Sequence, residues 1–419
     1  MTEVSAELLA KGKKLKEAAP QLGALQTADK NRALHCLSQS LLARAGEILS
    51  ANEKDLQRGE QQGLSKALLD RIRLDDSRVS GMAEGLRQVA SLPDPVGQVL
   101  EAWERPNGLS LQKVAVPLGV VGMIYEARPN VTVDAVGLCL KTGNAVLLRG
   151  GSAALFSNRA LVQILQESLE ENGFPAQAIQ LLESEDREVV KEMLRLNAFL
   201  DVVIPRGGAG LIRMVVQEAT VPVIETGVGN CHVYIDSSAQ PQMATEIVVN
   251  AKTQRPSVCN AIESLLVHQE WAEHHLPALA RVLTERGVEL RGCARTRALV
   301  PTAKAAVEED WGTEFLDLIL AVKVVDSVQE AVAHIATYGS RHSEAIVTED
   351  PSAANFFMQQ VDAACLYHNA STRFSDGFEF GYGAEIGIST QKLHARGPMG
   401  LPALTSYKYL VRGNGQIRS

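Results

Sequence analysis

Six cysteines are spread along the 419 residues, at positions 36, 139, 231, 259, 293 and 365, and one stands in a setting fit for nucleophilic chemistry. Cys259 lies in QRPSVCNAIESLLVH, where a Pro256-Ser257 turn breaks a helical pattern and an apolar strand begins a few residues later. A sulfur there sits on a loop at a strand edge, where reactive groups are readily exposed. Arg255 nearby could lower the thiol pKa, and backbone N–H groups of the turn could stabilise an oxyanion. The chemistry on offer is covalent catalysis through a thiolate. The other cysteines mostly fall in apolar runs such as VGLCLK and DAACLYH and read as core. His232 follows Cys231, but neighbours on a strand point to opposite faces, so the two form no dyad. Neither CxxC pairs nor tight spacing argue for a disulfide scaffold or a zinc site, and no metal is expected.

A second chemical signal is Arg206-Gly207-Gly208-Ala209-Gly210, between the strand-like FLDVVIP and a helical pattern. Glycines there let the backbone approach a pyrophosphate at a helix N-terminus, although the run also reads as an ordinary tight turn. No G-x-G-x-x-G follows a predicted strand. Arg149 closes LLRGGS at another strand end. A guanidinium in that place could pair with an adenosine 2'-phosphate and favour NADP over NAD; a solvated surface arginine is the alternative.

The elements that must carry these residues change in texture along the chain. Residues 1 to about 90 read as helices, with Leu34, Leu37, Leu41, Ile48 and Leu49 at helical spacing, Thr27 as N-cap and Asp29 in the first turn. From Pro117, short apolar runs alternate with amphipathic stretches. LGVVGMIYE (118–126) and NAVLLRGG (144–151) come first, then a helix from Ala153 that stops at Asn172 and Gly173. AIQLLES, DREVVKEMLRLN, FLDVVIPRGG, LIRMVVQEA and VPVIETG continue the alternation, which argues for parallel strands joined by right-handed crossovers in a doubly wound sheet. A second α/β block starts near Gln240 and runs through ESLLVH, a helix around 270–285, LILAVKVVD and AIVTED. The tail from about 373 is rich in glycine and aromatic residues and ends in the strand-like TSYKYLVRG, an arm suited to pairing with a second subunit.

Composition narrows the class. Hydrophobic residues make up 46% and charged residues 21%, ordinary for a globular protein. A net charge of -8 with Lys and Arg dispersed argues against nucleic acid as a partner. No apolar run approaches the roughly 18 residues of a membrane span, and the N-terminal sequence lacks the features of a secretory signal, so a cytoplasmic protein is expected.

The ordered series PLGVVGMIYEARP, KTGNAVLLRGGS, VIPRGGAG, VIETGVGNCHVYID, the Cys259 loop and TEFLDLILAVKVV resembles the aldehyde dehydrogenase superfamily over nearly the whole chain. The stretch from Val325 to Ile346, with AVAHIATYGSRHSEAI, is similar to a long signature of those members that reduce an acyl phosphate of glutamate. This resemblance implies an α/β, aldehyde dehydrogenase-like fold of two doubly wound parallel-sheet lobes plus a small β oligomerisation arm. It implies a cofactor-binding domain of residues 1–126, 146–240 and about 370–395, a catalytic domain of 241–369, and an arm of 127–145 and 396–419.

Carried over by position, Cys259 falls on the catalytic cysteine. Arg149 falls where the superfamily usually has a lysine at the adenosine ribose, with Gly151, Ser152, Arg206, Gly207 and Gly208 as further cofactor contacts. Glu314 falls on the glutamate that holds the nicotinamide ribose. Glu225 falls on the glutamate that activates water in hydrolytic relatives, and is catalytic or only structural here. At Glu126-Ala127-Arg128-Pro129-Asn130 the sequence departs from a motif that ends in an oxyanion-binding asparagine; a cation at Arg128 suits departing phosphate. Asn130, Arg255, Ser257, Arg341 and His342 are the implied substrate contacts, with a structural role equally open for the last two.

The implied reaction is the NADPH-dependent reduction of L-glutamyl 5-phosphate to L-glutamate 5-semialdehyde and phosphate through a Cys259 thioester, the second step of proline biosynthesis from glutamate. The implied partners are glutamate 5-kinase, which supplies the acyl phosphate, and further copies of the chain in a homo-oligomer. The rival readings are a hydrolytic aldehyde dehydrogenase and a non-catalytic binding protein with this fold.

Overall fold

The computed structural model describes residues 5–126 and 128–418. Residues 1–4, at the start of the expected cofactor domain, and Ala127 and Ser419, in the expected arm, lie outside the described residues. The chain divides into two compact units. Unit 1 is Met1–Glu225, Gly381–Gly387 and Met399–Ser419, and unit 2 is Thr226–Phe380 and Ile388–Pro398.

Unit 1 opens with α1 (Ala6–Gly23), α2 (Thr27–Ala43), α3 (Ala45–Gln61), α4 (Lys66–Ile72) and α5 (Asp76–Ser91). Leu34, Leu37, Leu41 and Ile48 are fully buried, as their spacing predicts, and Leu49 is half-buried. Thr27 is the first residue of α2 rather than its N-cap. Its hydroxyl donates to Asp94 at 3.0 Å, the same carboxylate that holds the buried Lys30 ammonium, and this pull draws it away from the helix start.

A hairpin of β1 (Val99–Glu104) and β2 (Ser110–Pro117) precedes β3 (Val120–Tyr125), α6 (Asn130–Lys141), β4 (Ala145–Arg149), α7 (Leu155–Glu171), β5 (Ile179–Leu181), α8 (Arg187–Met193), β6 (Val202–Arg206) and α9 (Ala209–Glu218). Strands β3 to β6 form one parallel sheet in the order β5-β4-β3-β6. Every residue of β3 is buried, which is why the run lacks polar alternation. The run VPVIETG, expected as a strand, contributes only a parallel bridge from Val223 to Val203; Pro222 has no N–H to donate and the glycines after Thr226 end the extended run.

Residues 127–145 do not form the expected arm. They hold α6, buried on most sides, which packs against α2 and α5, and a helix apolar nearly all round belongs in a core.

Unit 2 carries β7 (Cys231–Ile235), α10 (Pro241–Thr253), β8 (Ile262–His268), α11 (Gln269–Glu285), β9 (Glu289–Gly292), α12 (Ala294–Leu299), β10 (Lys304–Ala305), β11 (Ile319–Val325), α13 (Val328–Tyr338), β12 (Ser343–Val347), α14 (Pro351–Gln360) and β13 (Cys365–His368). Its seven strands run parallel in the order β10-β9-β11-β8-β7-β12-β13. Because β7 is bonded on both sides within this sheet, unit 2 begins at Thr226, earlier than the expected change at 240 and 241. The unit ends with the short hairpin of β14 (Ile388–Ser389) and β15 (Gly397–Pro398).

The last strand, β16 (Thr405–Arg412), belongs to unit 1 and pairs antiparallel with β2 from Thr405 opposite Pro117 to Arg412 opposite Ser110. The small β sheet is therefore β1-β2-β16, and it exposes Val99, Leu100, Tyr407, Tyr409 and Val411. No helix among the described residues is long and apolar enough to cross a membrane.

Candidate active site

In unit 1 the chain passes from β3 to β4 and β5 on one side and then returns to add β6 on the other, so the strand order reverses between β3 and β6. Ligands of open α/β sheets bind outside the carboxyl ends of the strands at such a reversal. Register places Arg149 opposite Ile124 and Arg206 opposite Tyr125, so both arginines stand at that carboxyl edge. After β6, Gly208 caps α9 without any side-chain cap of its own, and its N–H donates to Glu126 Oε2 at 3.1 Å. A Cβ on Gly207 would come within 2.6 Å of the Glu126 carboxyl carbon, so a larger residue there would displace the Glu126 side chain. The amide at this helix start thus faces an anionic oxygen on an exposed side chain.

The other glycine-flanked helix start is different. At α7 the buried Asp55 accepts from Phe156 N at 3.1 Å, Ser157 N at 2.7 Å and Ser157 Oγ at 2.6 Å. Its first-turn amides are already committed to a buried carboxylate. Gly151 and Ser152, in the turn just before α7, are half-buried and exposed, and Arg149 is half-buried with Nη1 on Gly150 O at 3.0 Å. Glu225 is half-buried at the end of the first segment of unit 1.

Arg128, half-buried, donates its N–H to Glu126 O at 2.9 Å, and Asn130 opens α6 with Nδ2 on Asp134 Oδ2 at 3.0 Å. Burial pushes the Asp134 carboxyl up to about 6 against the opposing Asn130 hydrogen bond. A carboxyl raised in the folded state favours the fold while protonated; that contribution is full below its ordinary 3.8 and is lost as pH rises through about 6. Denaturant melts of Asp134→Asn and wild type should therefore diverge as pH rises from about 4 to about 7, with the variant gaining relative stability.

In unit 2 the side chains implied by the resemblance converge on Gly229, Asn230 and Cys231, at the start of β7. Gly229 N–H donates to Glu314 Oε1 at 2.8 Å, and a Cβ on Gly229 would lie 1.6 Å from the Cys259 carbonyl oxygen. Asn230 N–H donates to Ser340 Oγ at 2.9 Å, while its Nδ2 donates to the carbonyls of Trp311 and Tyr338, each at 2.8 Å. Cys231 Sγ donates to Cys259 O at 3.1 Å and lies 3.7 Å from His342 Nδ1. Three consecutive residues thereby fix the Glu314 loop, the Ser340–His342 turn and the nucleophile loop.

Cys259 is half-buried, and Arg255 and Ser257 on the same loop are exposed. Arg341 is exposed with a left-handed φ of 62°, held by its carbonyl accepting from Ala364 N at 2.9 Å, whereas His342 is fully buried with Nδ1 2.8 Å from Ser343 Oγ. Burial raises the Glu314 carboxyl above its ordinary range, opposed by the Gly229 N–H. His232 turns away from Cys231 and binds Glu344 Oε2 through Nδ1 at 2.9 Å, as strand alternation requires.

The ends of the nucleophile loop are tied by a buried ion pair. Lys252, at the end of α10, bonds Glu263 of β8 and the Ile262 carbonyl, and Glu263 Oε1 accepts from Leu316 N at 3.1 Å in the Glu314 loop. Breaking such a pair strands one buried charge, so Lys252→Met is expected to lose about 3–5 kcal/mol in urea denaturation.

The model of the aldehyde dehydrogenase family matches residues 24–306, and the chain belongs to that family. It is 60% identical over 415 residues to the gamma-glutamyl phosphate reductase of Moorella thermoacetica, covering 99% of each chain. It is 61% identical over 415 residues to that of Heliobacterium modesticaldum, covering 99% and 100%. The crystal structure of gamma-glutamyl phosphate reductase from Thermotoga maritima superposes with a TM-score of 0.97 at 50% identity, over 99% of this chain and 100% of that one. Within the family, the gamma-glutamyl phosphate reductases are thus the group to which this chain is similar throughout its length. An acetylating aldehyde dehydrogenase from Geobacillus thermoglucosidasius shares the fold, with a TM-score of 0.69 at 16% identity over 99% and 98% of the two chains. The resemblance read from the sequence and the fold class it implied are both borne out.

Proposed function

We propose that this chain reduces L-glutamyl 5-phosphate to L-glutamate 5-semialdehyde and phosphate through a thioester on Cys259, with NADPH as reductant. The observation that carries this reading is the half-buried Cys259 on a loop fixed by Gly229 and Cys231, the same short segment that holds Glu314. Full-length identity of 60% and 61% to proteins named for this reaction supports the choice of substrate.

In the first half-reaction the Cys259 thiolate attacks the acyl carbon and phosphate departs, and the role the resemblance gives the Arg128 cation is to offset the departing charge. NADPH, when bound, supplies the hydride that reduces the thioester. The residues that suit it are Gly207 and Gly208, whose helix start faces an anionic oxygen, with Arg206, Arg149, Gly151 and Ser152 toward the phosphates and adenosine. Glu314 takes the nicotinamide ribose. Asn130, Arg255, Ser257 and Arg341 are the substrate-side contacts, and His342 supports them from the core beneath Cys231. Phosphate rather than water exchanges with the thioester, so Glu225 has no water to activate and serves the structure.

The test is oxidation of glutamate 5-semialdehyde with NADP and NAD side by side. This reading expects the reaction to require inorganic phosphate and to prefer NADP. Oxidation that proceeds equally without phosphate would make the chain a hydrolytic aldehyde dehydrogenase instead. The exposed apolar residues of β1 and β16 suit a homo-oligomer assembled in the cytoplasm through the small sheet, which light scattering of Tyr409→Glu would check. An acyl phosphate is short-lived in water, which favours direct transfer from glutamate 5-kinase; absence of co-elution would count against that transfer.

A further inference from the structure

The segment Ser371–Ser375 is stitched to the residue that follows the nucleophile. Asn260 Nδ2 donates to the carbonyls of Arg373 at 3.3 Å and Ser375 at 2.9 Å, and Thr372 Oγ1 donates to Asn260 O at 2.7 Å. The Arg373 side chain then reaches the other end of the loop, where its Nε donates to Gln254 Oε1 at 2.7 Å. Its main chain is anchored at residue 260 and its head at residue 254, so it spans the turn that carries Cys259.

Arg373 is half-buried, and among the described residues its guanidinium makes that one hydrogen bond and no ion pair. Both Nη groups are left for a ligand. Asp376 acts on this guanidinium through space but is not in ion-pair contact with it, and a partly desolvated guanidinium with no paired carboxylate calls for an anion. Burial lowers its pKa below the ordinary value; the Cys259 sulfur acts in the opposite sense, and Arg255 adds a like charge.

We propose that Arg373, with Arg255 beside it, binds the phosphate group exchanged at Cys259. This rests on the function proposed above. As the S–C bond forms, the C–O bond to phosphate breaks, its electron pair stays on the phosphate oxygen, and that oxygen takes a proton from solvent. Until that proton arrives, the charge lost by the sulfur sits on the departing phosphate oxygen, and a cation spanning the loop stabilises both ends of the transfer. The amino-acid carboxylate is a poorer match. It lies four bonds from the attacked carbon where phosphorus lies two, and its single charge calls for one guanidinium where a dianion calls for two.

Semialdehyde oxidation consumes inorganic phosphate, so its KM can be measured apart from that of the semialdehyde. Arg373→Gln is expected to raise the phosphate KM roughly 10- to 100-fold, the loss of a charged hydrogen-bonding partner, with the semialdehyde KM little changed and Arg373→Lys recovering part of the loss. An increase confined to the semialdehyde KM, or no increase in either, overturns the assignment. Should Arg373→Gln fail to fold, Arg255→Gln on the exposed part of the loop carries the same test: a higher phosphate KM with an unchanged melting temperature supports the pair, and an unchanged phosphate KM overturns it. Phosphate-independent oxidation by the wild type would instead defeat the function reading, whatever the arginine variants do.

Discussion

Cys259→Ala is expected to abolish both acyl-phosphate reduction and semialdehyde oxidation, with kcat/KM falling by at least about 10⁴-fold, while NADPH binding followed by fluorescence stays near the wild-type value. The size of the effect follows from the loss of the covalent route as a whole. The nearby Cys231 cannot substitute. Burial pushes its thiol well above the ordinary value, so it forms no thiolate at neutral pH. Cys231 moreover has its Sγ turned to the Cys259 carbonyl. A variant that kept a tenth of wild-type turnover would remove Cys259 from the mechanism.

Gly229→Ala should be nearly as damaging although residue 229 touches no substrate. The added methyl would meet the Cys259 carbonyl oxygen at 1.6 Å, its carbonyl carbon at 2.3 Å and its Cα at 2.5 Å, all of them main-chain atoms that no rotamer change can move. The nucleophile loop must therefore shift by an ångström or more. Misplacement on that scale costs about 100-fold in rate, so kcat is expected to fall by at least that much. Far-ultraviolet circular dichroism should still report the parallel sheets, since the clash is confined to two loops. Wild-type kcat in this variant would mean that the loop is held from elsewhere.

Much of this arrangement can be read from sequence because it is local. Uninterrupted runs such as VVGMIY and AVLL identify buried parallel strands without reference to anything distant, and the Pro256-Ser257 pair is enough to place the Cys259 sulfur just after a broken helix. What escapes is whatever depends on partners far along the chain. Asp55 gives no sign that it will cap α7 a hundred residues later, and the Ser371–Ser375 turn gives none that Asn260 will hold it. Asn230 carries no local signal of a role, yet its amide fixes two loops at once. The assignment of residues 127–145 to an arm fails for a related reason. Burial on most sides of α6 depends on α2 and α5 packing around it, and an apolar stretch alone does not say which neighbours will cover it.

The pairing of the last strand with β2 bears on how the chain assembles as it leaves the ribosome. Unit 2 is nearly contiguous and can collapse once Phe380 has emerged, whereas the small antiparallel sheet of unit 1 stays incomplete until Thr405–Arg412 are synthesised and find Ser110–Pro117. Contacts of such high order are slow to form, and until they do β2 remains an open edge. The half of the molecule translated first is thus the last to be finished, and a chain cut short by even a few residues in its closing strand leaves that edge exposed to aggregation.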